Sequence, residues 1–483
     1  MSDTANLSAS KRIEALLDDN SFIEIGALIS ARNTDFNMTE KETPSDGVIT
    51  GYGVINGNLV YVYSQDAGVM GGSIGEMHAK KIVRLYDMAI KMGAPVIGLV
   101  DSTGLRLQES TDALNAFGEI YMKQTLASGV IPQITAVFGN CGGGLSVLTG
   151  LTDYTLVEEN NGKLFINSPN TIDGNNASKC DTASASFQYE AGNADYVADE
   201  ASIINRIREV VSILPANNED DIIFEECMDD INRVCAELPN CVEDTAIALA
   251  NISDNNLLIQ TMEGHAKNMV TGFIKLNGVT VGAVANRTKV YDEEMNVTDE
   301  FEAALTPKAC EKAAKFVEFC DAFNIPVLTL TNVAGFKTCE CCEKKMMKAA
   351  AKLTYAFANA TVPKVNVIIS QAMGTPYVIM NSKAIGADIV YAWDSAKIGM
   401  MDSKSATRIM YADEINSSED AVALINEKAS EYDALQSNIM SAAKRGYVDT
   451  VIAPADTRKY VIGAFEMLYT KREDRPAKKH GAV

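Results

Sequence analysis

The chain has 483 residues, with 42 Lys and Arg against 64 Asp and Glu, for a formal net charge of -22. With 47% hydrophobic and 22% charged residues it has a globular composition, and it is too long for one ordinary core, so two domains of roughly 200 to 250 residues are expected. The acidic balance excludes nucleic acid as a partner, because phosphate binding needs clustered Lys and Arg, and an anionic ligand must find a local basic patch against the overall field.

Residues 1–10 are polar and lack the apolar core of a secretion signal, and no run of 18 apolar residues suggests a membrane span, so a cytoplasmic protein is expected. The first repeat unit follows. Asn56-Gly57 marks a turn, residues 60–64 read as a strand, and Gly71, Gly72 and Ser73 form a glycine turn. A helix over 80–92 places Ile82, Val83, Leu85, Tyr86 and Ala89 on one face, and residues 95–100 read as a buried parallel strand. The turn at 71–75 with His78, Lys80 and Lys81 is the local basic feature, a candidate for a ligand phosphate; a solvated helix face is the alternative. Arg106, Gln108 and Glu109 follow the strand end, where α/β sheets bind ligands, although a structural ion pair explains them equally well.

A further apolar strand over 134–138 runs into Asn140-Cys141-Gly142-Gly143-Gly144-Leu145 and then a helix-like stretch. Glycines there let main-chain amides approach a ligand at a helix N-terminus, which is an oxyanion hole in outline, or else simply a tight packing turn. Residues 216–244 are rich in Asn, Asp and Glu, and a domain boundary near 236 divides the chain into 1–236 and 237–483.

The same order then returns. Asn277-Gly278 repeats Asn56-Gly57 221 positions later, and a helix over 311–323 repeats 80–92. Pro326-Val327 and Val362-Pro363 repeat Pro95-Val96 and Ile131-Pro132, both 231 positions later, so the domain is duplicated. Gly143 maps onto Gly374 within Ala372-Met373-Gly374-Thr375-Pro376-Tyr377, and two anion-stabilising turns suit a reaction between two carbonyl compounds. Cys339, Cys341 and Cys342 stand too close in sequence for all three to reach one ion easily, and the ten cysteines read as reduced thiols. None of the three histidines, His78, His265 and His480, sits in a nucleophile or metal motif.

The segments GGSIGEMHAKKI (71–82), PVIGLVDSTGLRLQES (95–110), AKNMVTGFIKLNGVTVGAVAN (266–286), KFVEFCDAFNIPVLTLTNVAGF (315–336), AKLTYAFANATVPKVNVIISQAMGTPYVIM (351–380), AKRGYVD (443–449) and RPAKKHGAV (475–483) resemble carboxyltransferase subunits of biotin-dependent acyl-CoA carboxylases and decarboxylases. The resemblance runs from about residue 11 to the C-terminus. It implies an α/β fold of two tandem crotonase-like domains built on duplicated ββαβ units. It also implies a dimer or hexamer with the active site shared between subunits, and transfer of a carboxyl group between biotin and an acyl-CoA such as propionyl-, methylmalonyl-, acetyl- or malonyl-CoA. Biotin is then carried by a biotin carboxyl carrier protein. Further partners are a biotin carboxylase or sodium-pumping membrane decarboxylase subunits, the latter implying a place beside a membrane.

Carried over by position, the family's first oxyanion pair falls on Gly143 and Gly144, and the second on Gly374 and Thr375, with Pro376 in place of a third residue that carries an amide hydrogen. Gly71, Gly72, Ser73, Lys80 and Lys81 are the expected CoA-side contacts, and Val378 the acyl-pocket residue. A crotonase-like hydratase, isomerase or hydrolase is the competing enzyme, and a scaffold subunit altered at Pro376 is the competing non-enzymatic reading.

Overall fold

The computed structural model describes residues 7–32, 36, 41–220, 226–478 and 480–481. Linker residues 221–225 and tail residues 479, 482 and 483 lie outside them. The chain forms two compact units, Met1–Asp221 with Thr261–His265, and Ile222–Gln260 with Ala266–Val483. Residues 226–236 therefore group with the second unit, whereas composition placed the division near 236.

In the first unit, α1 (Ala9–Leu16) precedes the edge strand β1 (Ile23–Glu24), and β2 (Val48–Ile55) with β3 (Asn58–Gln65) forms a hairpin. Helix α2 (Glu76–Met92) crosses to the parallel strand β4 (Val96–Ser102), α3 (Ser110–Ala127) to β5 (Gln133–Gly142), and α4 (Gly144–Leu151) to β6 (Tyr154–Glu158). β7 (Lys163–Phe165), α5 (Ala185–Ala191), β8 (Tyr196–Ala198) and α6 (Glu200–Ile213) complete the unit. The sheet runs β1-β2-β3-β4-β5-β6-β8, with β7 added to the end of β5.

The second unit repeats this plan. After α7 (Thr245–Ile252) come β9 (Ile259–Gln260) and the hairpin β10 (Met269–Leu276) and β11 (Val279–Asn286). A small hairpin, β12 (Lys289–Tyr291) and β13 (Val297–Glu300), precedes β14 (Ala304–Leu305) and α8 (Pro307–Ala322). Then follow β15 (Val327–Val333), β16 (Gly335–Phe336), α9 (Glu340–Asn359), β17 (Lys364–Met373), α10 (Gly374–Ile379), β18 (Ile389–Trp393), β19 (Lys397–Gly399) and β20 (Thr450–Ile452). The order β9-β10-β11-β15-β17-β18-β20, with β19 on the end of β17, matches the first sheet strand for strand. The repeated ββαβ unit is thus β2-β3-α2-β4 and β10-β11-α8-β15.

Local chemistry explains these elements. Both hairpins close through two residues, Asn56-Gly57 and Asn277-Gly278, and all four have positive φ, as a type I′ turn matched to strand twist requires. β15 is buried along its whole length, as a parallel strand covered on both faces must be. Both crossover helices start earlier than their apolar faces suggest. α2 begins at Glu76 because carboxylates cap its first amides, and α8 begins at Pro307 because Thr306 caps it and proline is pre-organised for the first helical position. The apolar cluster of the first unit joins Ile82, Leu85 and Tyr86 of α2 to Val96 and Val100 of β4.

An Arg–Asp brace holds each hairpin. Asp18 accepts the Gly57 amide (3.1 Å) and pairs with Arg208 of α6 (2.8 Å). Asp254 accepts the amides of Asn277 (3.2 Å) and Gly278 (2.7 Å) and pairs with Arg458 (2.6 Å) of the C-terminal helix Thr457–Leu468. The Arg458 side chain is fully buried, whereas the first pair is 26% and 30% exposed. Removing Arg458 strands a buried carboxylate, so Arg458→Met is expected to cost about 3 to 5 kcal/mol. Arg208→Met is expected to cost about 1 kcal/mol or less, since water screens its pair. Thermal unfolding of the two variants side by side checks this; equal midpoints would refute it.

Candidate active site

At the first glycine turn, the end of β5 is paired on one side by β7, Asn140–Gly142 against Lys163–Phe165. That ladder runs one residue further, because the Gly143 N–H donates to the Phe165 carbonyl (2.9 Å). Gly143 then turns with φ +61° and ψ -134°, a combination essentially restricted to glycine, and α4 starts at Gly144. The Gly143 carbonyl accepts both the amide and the hydroxyl of Ser146, at 3.1 and 2.7 Å. The amides of Gly144 and Leu145 meet no acceptor among the described residues, as expected for the first turn of a helix.

Gly143 therefore does not offer its own amide, contrary to the expected Gly143–Gly144 pair; the strand ladder uses it, and the open pair is Gly144 with Leu145. Gly143 instead sets the turn, and a Cβ on it would meet nothing within 4 Å. Tyr121 of α3 donates its hydroxyl to the Gly144 carbonyl and packs edge-on against Phe117, whose ring also faces Gly144. No local pattern pointed to Tyr121, since the contact spans 23 residues. Cys141, just before the turn, is buried, and its thiol is pushed up to about 12, so it is no nucleophile.

The second turn is built alike. Gly374 has φ +63° and opens α10 at the end of β17, and Thr375 is exposed. As at the first turn, the strand ladder uses the glycine amide, because the Met373–Gly399 pairing is the counterpart of Gly142–Phe165; contrary to the expected Gly374–Thr375 pair, Thr375 is the amide left at this turn. Pro376 is buried in the first turn of α10, where a missing N–H costs the helix nothing because that amide would lack an intrahelical acceptor. Its carbonyl still accepts from the Met380 amide (3.2 Å). Val378 is half-buried on α10, and its carbonyl accepts the Ser382 amide (3.4 Å).

The basic feature near residue 71 is mostly structural. Gly72 has φ +65°, and a Cβ there would lie 2.3 Å from the Asp101 carbonyl, so glycine lets the 70–73 turn press on the end of β4. Ser73 is buried, and its carbonyl and hydroxyl accept from Arg106 at 2.7 and 3.3 Å. Arg106 itself is fully buried and pairs with Asp46 (2.6 Å) and Glu109 (2.8 Å), so the ion-pair reading of that residue holds. These two carboxylates also take the α2 amides of Glu76 (from Glu109, 2.6 Å) and His78 (from Asp46, 2.7 Å), which closes the start of that helix to an outside phosphate.

Lys81 is buried and donates to the carbonyls of Ser45 (3.0 Å) and Val48, and burial lowers its pKa to about 8; it is a core residue and not the expected CoA contact. Lys80 alone is exposed, paired with Glu76 at 2.6 Å. The structure thus brings Gly71, Gly72 and Ser73 together at the carboxyl end of β4, but leaves one accessible lysine there. Gly71 is half-buried, with its carbonyl accepting the Thr103 amide (3.0 Å).

His78 lies in the same core, with Nδ1 2.9 Å from the Asp46 carbonyl and Nε2 3.2 Å from Gln65 Nε2. His265 Nδ1 lies 2.8 Å from the Glu190 carbonyl. Cys339 caps α9, where hydrogen bonds from its neighbouring thiols and the Cys342 amide hold its thiol below the usual range, while the Cys339 hydrogen bond pushes Cys342 up to about 12.

With this geometry established, likeness to known proteins decides the family. A carboxyl transferase domain model matches residues 2–483. The chain belongs to the carboxyl transferase domain family. The carboxyltransferase is 38% identical to the methylmalonyl-CoA decarboxylase α subunit of Propionigenium modestum, over 99% of this chain and 93% of that one. It is 39% identical to the carboxyltransferase subunit of propionyl-CoA carboxylase from Haloferax mediterranei, over 100% and 94%. Among solved structures, transcarboxylase 12S, a hexamer with hydrolysed methylmalonyl-CoA bound, superposes with a TM-score of 0.92 at 36% identity, covering 99% of this chain and 92% of that one. The crotonase-like fold that the family resemblance implied is therefore the fold of this carboxyltransferase. No helix among the described residues is long and apolar enough to cross a membrane.

Burial lowers the His78 pKa from 6.5 to about 3. Its folded pKa lies below the unfolded one, so below pH 6.5 the unfolded chain binds a proton that the buried ring refuses, and stability falls until about pH 3. Urea unfolding of wild type and His78→Asn across this range is expected to show the stability gap between them shrinking as pH falls. A gap independent of pH would refute it.

Proposed function

We propose that this carboxyltransferase moves a carboxyl group between biotin on a separate carrier protein and a short acyl-CoA of the propionyl/methylmalonyl or acetyl/malonyl class. The observation that carries the reading is the pair of equivalent strand-to-helix turns, each set by a glycine at positive φ and opening a helix, with Gly144 and Leu145 unengaged at the first and Thr375 at the second. Gly144 and Leu145 polarise one carbonyl oxygen, and Thr375, at the turn that Gly374 sets, the other. An amide held at a helix N-terminus stabilises negative charge developing on oxygen without reorganisation, and losing one such donor typically costs about 100- to 1000-fold in rate.

The Thr375 amide at the second turn fits a neutral ureido oxygen, and Pro376 leaves that turn one donor fewer than an all-amide run. Biotin, when delivered, supplies the ureido nitrogen that gives up or receives the carboxyl group. In the carboxylating direction the acyl α-carbon would gain the carboxyl group and its proton would pass to the ureido nitrogen that gave the group up; in the other direction the carbon–carbon bond would break, its electron pair held on the thioester oxygen at the first turn until the α-carbon takes the proton that the ureido nitrogen loses on accepting the carboxyl group. Val378 lines the acyl side, while Gly71, Gly72 and Lys80 lie on the CoA side, with Lys80 an exposed cation able to meet a phosphate there. The chain acts in a homo-oligomer, and its partners are a biotin carboxyl carrier with either a biotin carboxylase or a membrane decarboxylase subunit.

The purified chain with methylmalonyl-CoA or malonyl-CoA is expected to release the decarboxylated acyl-CoA when free biotin or a biotinylated carrier is added, followed by chromatography of the CoA esters. Biotin-independent turnover, or hydrolysis to free CoA, would sink the proposal. Gly143→Val forces a β-branched residue to positive φ and swings the Gly144 amide off its target, so turnover is expected to fall by about 100-fold or more. Size-exclusion elution should be unchanged. Wild-type rates in this variant would remove the first turn from the site.

A further inference from the structure

β16 leaves the carboxyl end of β15 and leads to Cys339, the N-cap of the 20-residue helix α9. There the chain curls back on itself. Cys339 Sγ accepts the Cys342 amide (3.2 Å) and lies 3.0 Å from Cys341 Sγ. The three sulfur atoms of Cys339, Cys341 and Cys342 all lie within 4.8 Å of one another. Among the described residues, no other group of three Cys, His, Asp or Glu side chains brings its ligand atoms together in this way.

We propose that Cys339, Cys341 and Cys342 form a binding site for one thiophilic divalent cation of the zinc class. Three thiolates about 2.3 Å from a common tetrahedral ion stand roughly 3.8 Å apart, inside the observed span. Reaching that spacing needs only a small rotation that moves Cys341 Sγ away from Cys339 Sγ, and Cys341 is exposed and free to turn. The expectation that cysteines so close in sequence cannot share an ion holds for an extended chain. In the first turn of a helix, the N-cap side chain folds back over the second and third residues, and the three sulfurs converge.

The surroundings favour the charge. Three thiolates and one divalent cation carry a net single negative charge, which a helix N-terminus stabilises. Lys337 acts electrostatically on Cys339 and Cys342 while its ammonium also pairs with Glu302 (2.6 Å). Binding converts up to three thiols to thiolates and releases their protons to solvent, and the fourth coordination position stays open to water. The site lies on the second unit, and α10 packs against both β16 and α9, so the ion would brace the segment beside the Gly374 turn.

The full chain, purified with reductant and stripped with a chelating resin, is given Zn2+, passed through gel filtration, and assayed by elemental mass spectrometry. One Zn2+ per chain is expected, falling at least tenfold in Cys341→Ser, an exposed change that leaves circular dichroism unaltered. Co2+ in place of Zn2+ should give thiolate-to-metal charge-transfer absorption that the variant lacks. In wild type, with no substitution needed, Zn2+ should shield these three thiols from iodoacetamide, read by peptide mass spectrometry. Zinc retained equally by the variant would place the ion elsewhere and overturn the proposal. So would a reduced wild-type chain that retains no zinc and alkylates at all three positions.

Discussion

β5 and β17 each lie between parallel neighbours, so their backbone polar groups are committed on both sides until the strand ends. Such a strand can leave its sheet only by a sharp turn, and in both units that turn is a glycine with φ near +60°, Gly143 at +61° and Gly374 at +63°. The helix that follows begins with amides no carbonyl of its own can reach. The proposed chemistry rests on that geometry, with donors fixed in the backbone at the start of a helix.

Buried charge gathers instead around the 70–76 turn. Arg106, Asp46, Glu109 and Lys81 lie in the core next to the 70–76 segment, where each carboxylate or ammonium satisfies a carbonyl, an amide or an opposite charge. Buried ions are retained only when so fully bonded, and breaking one partnership leaves the other uncompensated. The network fixes the glycine turn against the end of β4. It also uses up the positive groups that might have drawn in an anionic substrate, leaving Lys80 outside in a chain of net charge -22.

Duplication has preserved the skeleton and let the chemistry drift. Hairpin turns, crossover helices, strand order and even the Arg–Asp brace recur, because each is dictated by strand twist or by the need to pair buried polar groups. The residues after the glycine differ, Gly144-Leu145 in one unit and Thr375-Pro376 in the other, because the first turn of a helix makes no intrahelical demand on its amides and so tolerates proline.

The order of elements was legible in the chain itself. Asn-Gly at two-residue hairpins, apolar stripes of helical period and proline-led buried strands are local signals that tertiary context did not override, and their repetition in the same order established the doubled domain. Broad likeness over the whole length established the family. What local pattern could not convey was which polar group is already engaged. Lys81 and Lys80 are neighbours in sequence, yet one is locked in the core and the other is in water. Gly143 and Gly144 read as equals, yet a ladder reaching in from Phe165 takes the first amide. Cys339, Cys341 and Cys342 look too crowded to share an ion until the first turn of α9 folds their sulfurs together. In each case the deciding partner comes from a distant strand or from the curl of the backbone, and hydrogen-bond satisfaction is a property of the folded arrangement that no periodicity records.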